Sequence, residues 1–287
     1  MALTVGGTVA GLRRLHRGVS SDHDPAMNIP DYERIVCLTE EPTEILYLLG
    51  EQDRIVGISA YTERPATAKA EKPVVSAFVD GSVPKIQALK PDLVIGFSDI
   101  QAKLASELIA VGLTVIIFNQ RTLAEILGVV QTIGRLVGAG DDAADLAADL
   151  GRRIDEASAR NGRLGRRPRV YFEEWPDPMI SAISWVSELI AVAGGEDIFA
   201  DRSKGGLAIE RFVNSEAVLS ANPEVMLASW CGKPFDETAV RAREGWNDMA
   251  ALRDERVHEI DPSIILQPGP AAILAGLPEL ERCIQGR

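Results

Sequence analysis

Cys231 carries the most reactive side chain in the sequence, in the run Trp230-Cys231-Gly232-Lys233, where a nearby ammonium lowers a thiol's pKa. A thiol nucleophile also needs a base, and the chain has only three histidines. His16 and His23 fall in the N-terminal tail, and His258 sits inside an apolar run, the setting of a structural histidine. So few histidines exclude a histidine-built zinc or iron site, and no metal is expected. Cys37, Cys231 and Cys283 are odd in number and far apart, which is not a disulfide framework. The phosphate-loop, dinucleotide-turn and nucleophile-elbow patterns are all missing, as is any C-x-x-C pair. The expected chemistry is ligand binding, with no catalysis and no built-in cofactor.

What can bind is a set of carboxylates and aromatic rings that follow apolar runs. Glu40, Glu41 and Thr43 follow the first run, Tyr61 the second, and Phe97 and Asp99 the third. Further on, Glu173, Glu174 and Trp175 follow one run, and Trp230 and Cys231 follow another. Trp185 stands at the start of a helical stretch beyond Trp175. Aromatic residues make up only 5% of the chain, yet most tryptophans fall at these positions. Aromatic walls with a few polar groups are how proteins grip a large flat ligand.

The runs themselves read as buried strands: 34–38, 55–58, 93–97 and 113–118, then 169–172, 225–229 and 257–260. Helical spacing separates them, at 41–49, 102–111, 122–136, 184–192, 215–219 and 276–284, the last beginning nearer Pro270. Near-continuous apolar strands alternating with helices indicate mainly parallel sheets covered on both faces, an α/β fold. A long helical stretch, 143–159, has Leu146, Ala147, Leu150 and Ile154 on one face and divides the pattern in two. The expected organisation is an N-terminal extension (1–32), a first α/β lobe (33–140), a connecting helix and linker (141–166), and a second α/β lobe (167–287). The basic tract 160–169 reads as a solvated connector. In open α/β sheets ligands bind beyond the carboxyl ends of the strands, where the residues named above fall.

A length of 287 residues with 46% hydrophobic content suits one large domain or two smaller ones. A formal net charge of −12 argues against nucleic acid and anionic lipid as partners. Apolar stretches fall short of the roughly 20 residues that a membrane helix needs, so the chain is not expected to span a membrane. Residues 2–12 are mildly apolar but diluted by three glycines, and Arg13, Arg14 and Arg17 follow instead of preceding them. With no cleavage site or lipid-anchor cysteine there, the chain as written reads as cytoplasmic.

Several segments together resemble the class III, cluster A substrate-binding proteins of ABC importers, the Fe-siderophore and cobalamin binding family. They are Arg34-Ile35-Val36-Cys37-Leu38 with the Thr43-Glu44 helix start, Val56-Gly57-Ile58-Ser59-Ala60-Tyr61, and Ala88-Leu89-Lys90-Pro91-Asp92-Leu93-Val94-Ile95. Gly194-Gly195-Glu196-Asp197-Ile198-Phe199 and Ser215-Glu216-Ala217-Val218-Leu219 with Asn222-Pro223-Glu224 complete the set. The resemblance covers residues 33–285 and is closest in pattern to the cobalamin binders. It implies two lobes around a rigid helix, a monomer, and a cobalamin, other corrinoid or related metal chelate held between the lobes. It also implies modest cleft closure, an ABC permease as partner and, as in family relatives, a periplasmic location.

The same resemblance assigns residues. Tyr61, Phe78 and Phe97 match the aromatic cleft positions of the first lobe, whereas Glu210 occupies an aromatic position of the second. Trp175, Trp185 and Trp230 are the candidates to supply the missing stacking surface. Glu40, Glu41, Glu173, Glu174 and Glu210 form an acidic inventory that accepts hydrogen bonds from corrin amides or favours a cationic ligand. Glu216 matches the second-lobe carboxylate that docks on the permease, and the first-lobe counterpart falls on Pro84. With half the docking pair replaced, a cytoplasmic sensor or carrier using the same cleft is the alternative. An enzyme built on Cys231 and the acidic residues is the third reading, and it requires turnover that Cys231→Ala abolishes.

Overall fold

Short apolar strands with no polar face can be satisfied only between two covering layers, and both sheets of this protein are built that way. The computed structural model describes residues 31–286. The first sheet contains β1 (Ile35–Cys37), β2 (Ile55–Ser59), β3 (Val74–Ala77), β4 (Asp80–Gly81), β5 (Leu93–Phe97) and β6 (Val115–Phe118), in the order β4-β3-β2-β1-β5-β6. All neighbours are parallel except β3 and β4. The second contains β7 (Arg169–Pro176), β8 (Met179–Ser181), β9 (Glu196–Asp197), β10 (Val225–Ala228) and β11 (Val257–Glu259). Its order is β11-β10-β7-β8, with β9 also pairing β7 and only β7–β8 antiparallel. This is the expected two-lobe α/β architecture.

Two short hairpins, β3–β4 and β7–β8, escape the sequence reading. Their strands are two to four residues long at β3, β4 and β8, too short for a periodic signal. They matter because each turn carries a cleft residue, Phe78 in the first and the Trp175–Asp177 corner in the second. Phe78 takes a left-handed conformation (φ 48°) to make its turn.

The connecting helix spans Gly140–Asn161, 22 residues or about 33 Å at 1.5 Å per residue. It packs along the helix Leu123–Leu136, which is started by a reciprocal cap: Glu125 N–H donates to Thr122 Oγ1 (3.2 Å) and Thr122 N–H donates to Glu125 Oε2 (3.1 Å). The helices approach so closely that a Cβ on Gly134 would overlap that of Ala143. At its far end Asn161 donates to the Val192 carbonyl (3.0 Å) and to Glu281 Oε1 (2.6 Å), fastening the helix to the second lobe. The basic tract is more engaged than a solvated connector: Arg160 pairs with Glu281, Arg167 donates to the Ala191 carbonyl and Arg169 to those of Ala221 and Asn222.

Of the expected N-terminal extension, Asp31 and Tyr32 are described, and Tyr32 N–H donates to the Leu136 carbonyl (3.1 Å). The readings on residues 1–30, His16 and His23 included, lie outside the described residues. Among the described residues no helix is long and apolar enough to cross a membrane.

Candidate functional site

The carboxyl ends of β1, β2, β5 and β6 face those of β7 and β10 across a trough with two compartments. The first, about 360 Å³, is aromatic: Phe78, Phe97, Trp175 and Trp185 line it with Ile100, Ile183 and Leu207. Phe97 and Trp185 meet edge to face across the lobes, their centroids 6.4 Å apart at 77°. Trp185 is nearly buried and donates its indole N–H to the Ile265 carbonyl (2.8 Å), so it forms the floor. Trp175 is half-buried at the β7–β8 corner, with its indole N–H on the Asp177 carbonyl (2.9 Å).

Two arginines that the sequence reading passed over also line this compartment. Arg121 follows β6 and sits 5.2 Å from the Phe97 ring centroid, and Arg211 ends the 3-10 turn Ala208–Arg211. Arg211 is only 3% exposed; its guanidinium donates to both Glu174 oxygens (2.5 and 3.0 Å) and to the Ser181 carbonyl (2.6 Å). Burial, with Arg211 nearby, lowers the Arg121 pKa against the raising pull of Asp99. The Nε atoms of both arginines are buried without a hydrogen-bond partner. Extending the strand-end argument to β6 finds Arg121, three residues past Phe118. No local signal marks Arg211, which reaches the cleft from 35 residues beyond Pro176.

The second compartment, about 430 Å³, is polar, lined by Glu40, Tyr61, Glu63, Arg64 and Gln267 among others. Tyr61 is 51% exposed and meets Phe78 edge-on at 6.4 Å. Glu40 accepts from the Glu63 N–H (3.1 Å) and lies 3.8 Å from Arg64 Nε, while its second oxygen has no partner. Cys231 and Leu266 line both compartments and form the ridge between them.

Behind the polar compartment, three glutamates at the start of the helix Glu40–Leu48 are pressed against the second-lobe segment 263–271. Glu44 Oε2 accepts from Ala271 N–H (3.0 Å), Gln120 donates to the Pro268 carbonyl (3.0 Å), and Arg64 donates to the Ser263 carbonyl. Glu41 is 1% exposed, with no partner on either oxygen. It lies directly under Gly269, where an added Cβ would come within 2.7 Å of its own. Burial raises both Glu40 and Glu41 to about 7. Glu41 is thus an interlobe packing residue, away from both compartments' linings.

Glu173 and Trp230 also differ from expectation. Glu173 is fully buried, and its oxygens accept from Arg243 (2.6 and 3.0 Å), the Tyr171 hydroxyl (2.9 Å) and the Trp230 indole N–H (3.1 Å). Trp230, 2% exposed, packs edge-on against Phe235 in the second lobe's own core. The residues immediately past a buried strand still belong to the sheet's covering layer, so Trp230, two residues beyond β10, falls in the core. Glu210 is exposed and accepts from Leu207 N–H (2.9 Å), closing its own turn. The acidic inventory is therefore dispersed: Glu173 and Glu174 are neutralised by arginines, Glu41 is sealed away, Glu210 is exposed on its own turn, and Glu40 lines the polar compartment.

Cys231 is exposed, whereas Cys37 and Cys283 are buried. Burial and the Glu174 charge raise the Cys231 pKa, which keeps the thiol protonated and poorly nucleophilic. Glu216 is exposed in the first turn of the helix Ser215–Ala221, and Pro84 is exposed in the first turn of Val83–Ala88. His258 lies on β11, its pKa lowered by burial and by nearby arginines. Among the described residues no trio of His, Cys, Asp or Glu is arranged to hold a bare metal ion.

Residues 35–264 match the family model described as periplasmic binding protein. The chain is 26% identical to an uncharacterised ABC transporter substrate-binding lipoprotein of Bacillus subtilis, over 88% of this chain and 80% of that one. It is 28% identical to a cobalamin-binding protein of Halobacterium salinarum, over 84% of this chain and 66% of the relative, slightly under two thirds of its length. In fold it is similar to the periplasmic vitamin B12-binding protein of Vibrio cholerae, with a TM-score of 0.71, 24% identity, and 88% and 97% of the two chains covered. It is also similar to an apo periplasmic haem-binding protein from Roseiflexus sp. RS-1, with a TM-score of 0.75, 24% identity, and 88% and 98% covered.

Proposed function

The chain belongs to the periplasmic binding protein family, and from that membership we propose a non-catalytic solute-binding protein for ABC-type import whose trough holds a flat metal-chelating tetrapyrrole, in the first place a corrinoid. The observation that carries this reading is the aromatic compartment: a floor of Phe97 and Trp185, a side wall of Trp175 and two guanidiniums at the edge. Aromatic faces suit the broad apolar plane of a tetrapyrrole. Arg121 suits acceptors on its periphery, such as amide carbonyls, carboxylates or a phosphodiester, whereas Arg211 is taken up by Glu174 and the Ser181 carbonyl. A cationic ligand fits less well, because the carboxylates nearest this compartment are already paired. The cobalamin-binding relative, at 28% identity, supports the choice of a corrinoid. Glu216, exposed on the second lobe, is the residue we assign to the permease.

A long helix seated against its neighbours resists hinge bending, so the pocket is largely preformed and affinity depends on its walls. Trp175→Ala is expected to weaken cyanocobalamin binding by roughly 1–3 kcal/mol, or about 5- to 150-fold. A difference-absorbance titration of the wild-type and variant proteins measures this. Equal affinities would contradict the assignment of Trp175 to the binding wall.

A further inference from the structure

We infer that Gln101 is a positioning residue for the binding wall, holding Phe78 and Phe97 where the macrocycle meets them, an inference that rests on the tetrapyrrole reading above. Gln101 ends the 3-10 turn Asp99–Gln101 that follows β5, and it is 1% exposed. Residues 97–100 line the aromatic compartment and Gln101 does not, so it acts only through its neighbours. Those neighbours are three strand ends. Its Oε1 accepts from the Phe97 N–H (3.0 Å), and its Nε2 donates to the Phe78 carbonyl (2.5 Å) and to that of Leu38 (3.4 Å).

The sheet shows what this amide does. Leu38 N–H donates to the Ile95 carbonyl (2.8 Å), so the next rung of the parallel β1–β5 ladder would run from Phe97 N–H to the Leu38 carbonyl. Gln101 is inserted into that rung, its carbonyl taking the Phe97 donor and its NH2 serving the Leu38 acceptor. Gly96 makes the room, since a Cβ there would overlap Gln101 Oε1. The ends of β1 and β5 are thereby held apart at the trough, and the remaining amide hydrogen reaches across to the β3–β4 turn. Both turns need holding, because Phe78 (φ 48°) and Ser98 (φ 64°) take left-handed conformations that cost a residue with a side chain. Phe78 meets Tyr61 and Phe97 meets Trp185, each edge to face at 6.4 Å, so the amide sets both aromatic pairs of the trough. A wall fixed before the ligand arrives spares the cost of ordering it on binding.

The test compares wild type with Gln101→Met, which keeps the side chain's length but cannot donate, and with Leu108→Ala. Leu108 is buried on the helix Ala102–Ala110 of the same lobe, in a different apolar cluster from Phe97. Both variants should unfold at lower urea than wild type. Only Gln101→Met should bind cyanocobalamin more weakly, by about tenfold, the worth of one or two hydrogen bonds. It alone should also change the Soret circular dichroism of haemin at saturation, because haemin is achiral and its signal reports the rings packed around it. Wild-type affinity or an unchanged Soret signal in Gln101→Met would overturn the inference and leave the tetrapyrrole reading standing. The same changes in Leu108→Ala would also overturn it, since lost stability would then account for them. If wild type holds neither macrocycle, the tetrapyrrole reading falls and the inference falls with it.

Discussion

Replacing Arg243 with methionine is expected to destabilise the protein by about 3–5 kcal/mol, the range for breaking a buried ion pair from one side. Glu173 is fully buried, and Arg243 is its only cationic partner among the described residues. The Tyr171 hydroxyl and Trp230 indole would remain, but two neutral donors do not offset a buried carboxylate. The variant also loses the guanidinium placed 4.4 Å from the Trp246 ring centroid. Adding Glu173→Gln should restore much of the loss, because the glutamine carries no charge. Urea unfolding of the wild type, single and double variants measures both terms. A single variant as stable as wild type would show that Glu173 is not held as described.

The second large effect is a pH dependence set by Glu41. Burial lifts this carboxyl from 4.5 to about 7 in the folded state, helped by the Glu44 charge. The folded state therefore holds the proton more tightly than the unfolded chain. Its contribution is fully present below pH 4.5, is lost as pH rises, and is gone above about 7. Glu41→Gln keeps the shape of the protonated acid and cannot ionise. It should match wild type near pH 4.5 and exceed it by about 3 kcal/mol at pH 8. Glu40 has the same sign and is itself raised in part by the Glu41 charge, so the difference curve reports Glu41 together with that coupling. Chemical denaturation at several pH values gives the difference curve. A flat difference would mean that Glu41 is solvated and the interlobe packing around Gly269 is looser than described.

Strand existence and the two-lobe plan were legible because buried parallel strands are apolar runs, and the 22-residue helix has a clear apolar stripe. Strand ends then led to Phe97, Trp175 and Cys231, since the fold places its loops there. The same rule failed at Trp230, where one residue's difference in position separates the cleft from the core. It also misjudged the carboxylates, because sequence shows a charge but not its partner. Arg211 and Arg243 reach Glu174 and Glu173 from 37 and 70 residues away, and their pairing changes the electrostatic character of the cleft. The segment 263–271 was equally opaque. Its contacts with Glu41, Glu44, Arg64 and Gln120 are tertiary and have no periodic signature.

The central claim is that one macrocyclic metal chelate occupies the trough between the lobes. Native mass spectrometry after incubation with equimolar cyanocobalamin, haemin or a ferric catecholate siderophore tests it most directly. One tetrapyrrole per chain, with cyanocobalamin retained at the highest collision energy, is the predicted spectrum. Retention of the siderophore alone, or the bare protein mass in all three samples, would contradict the account.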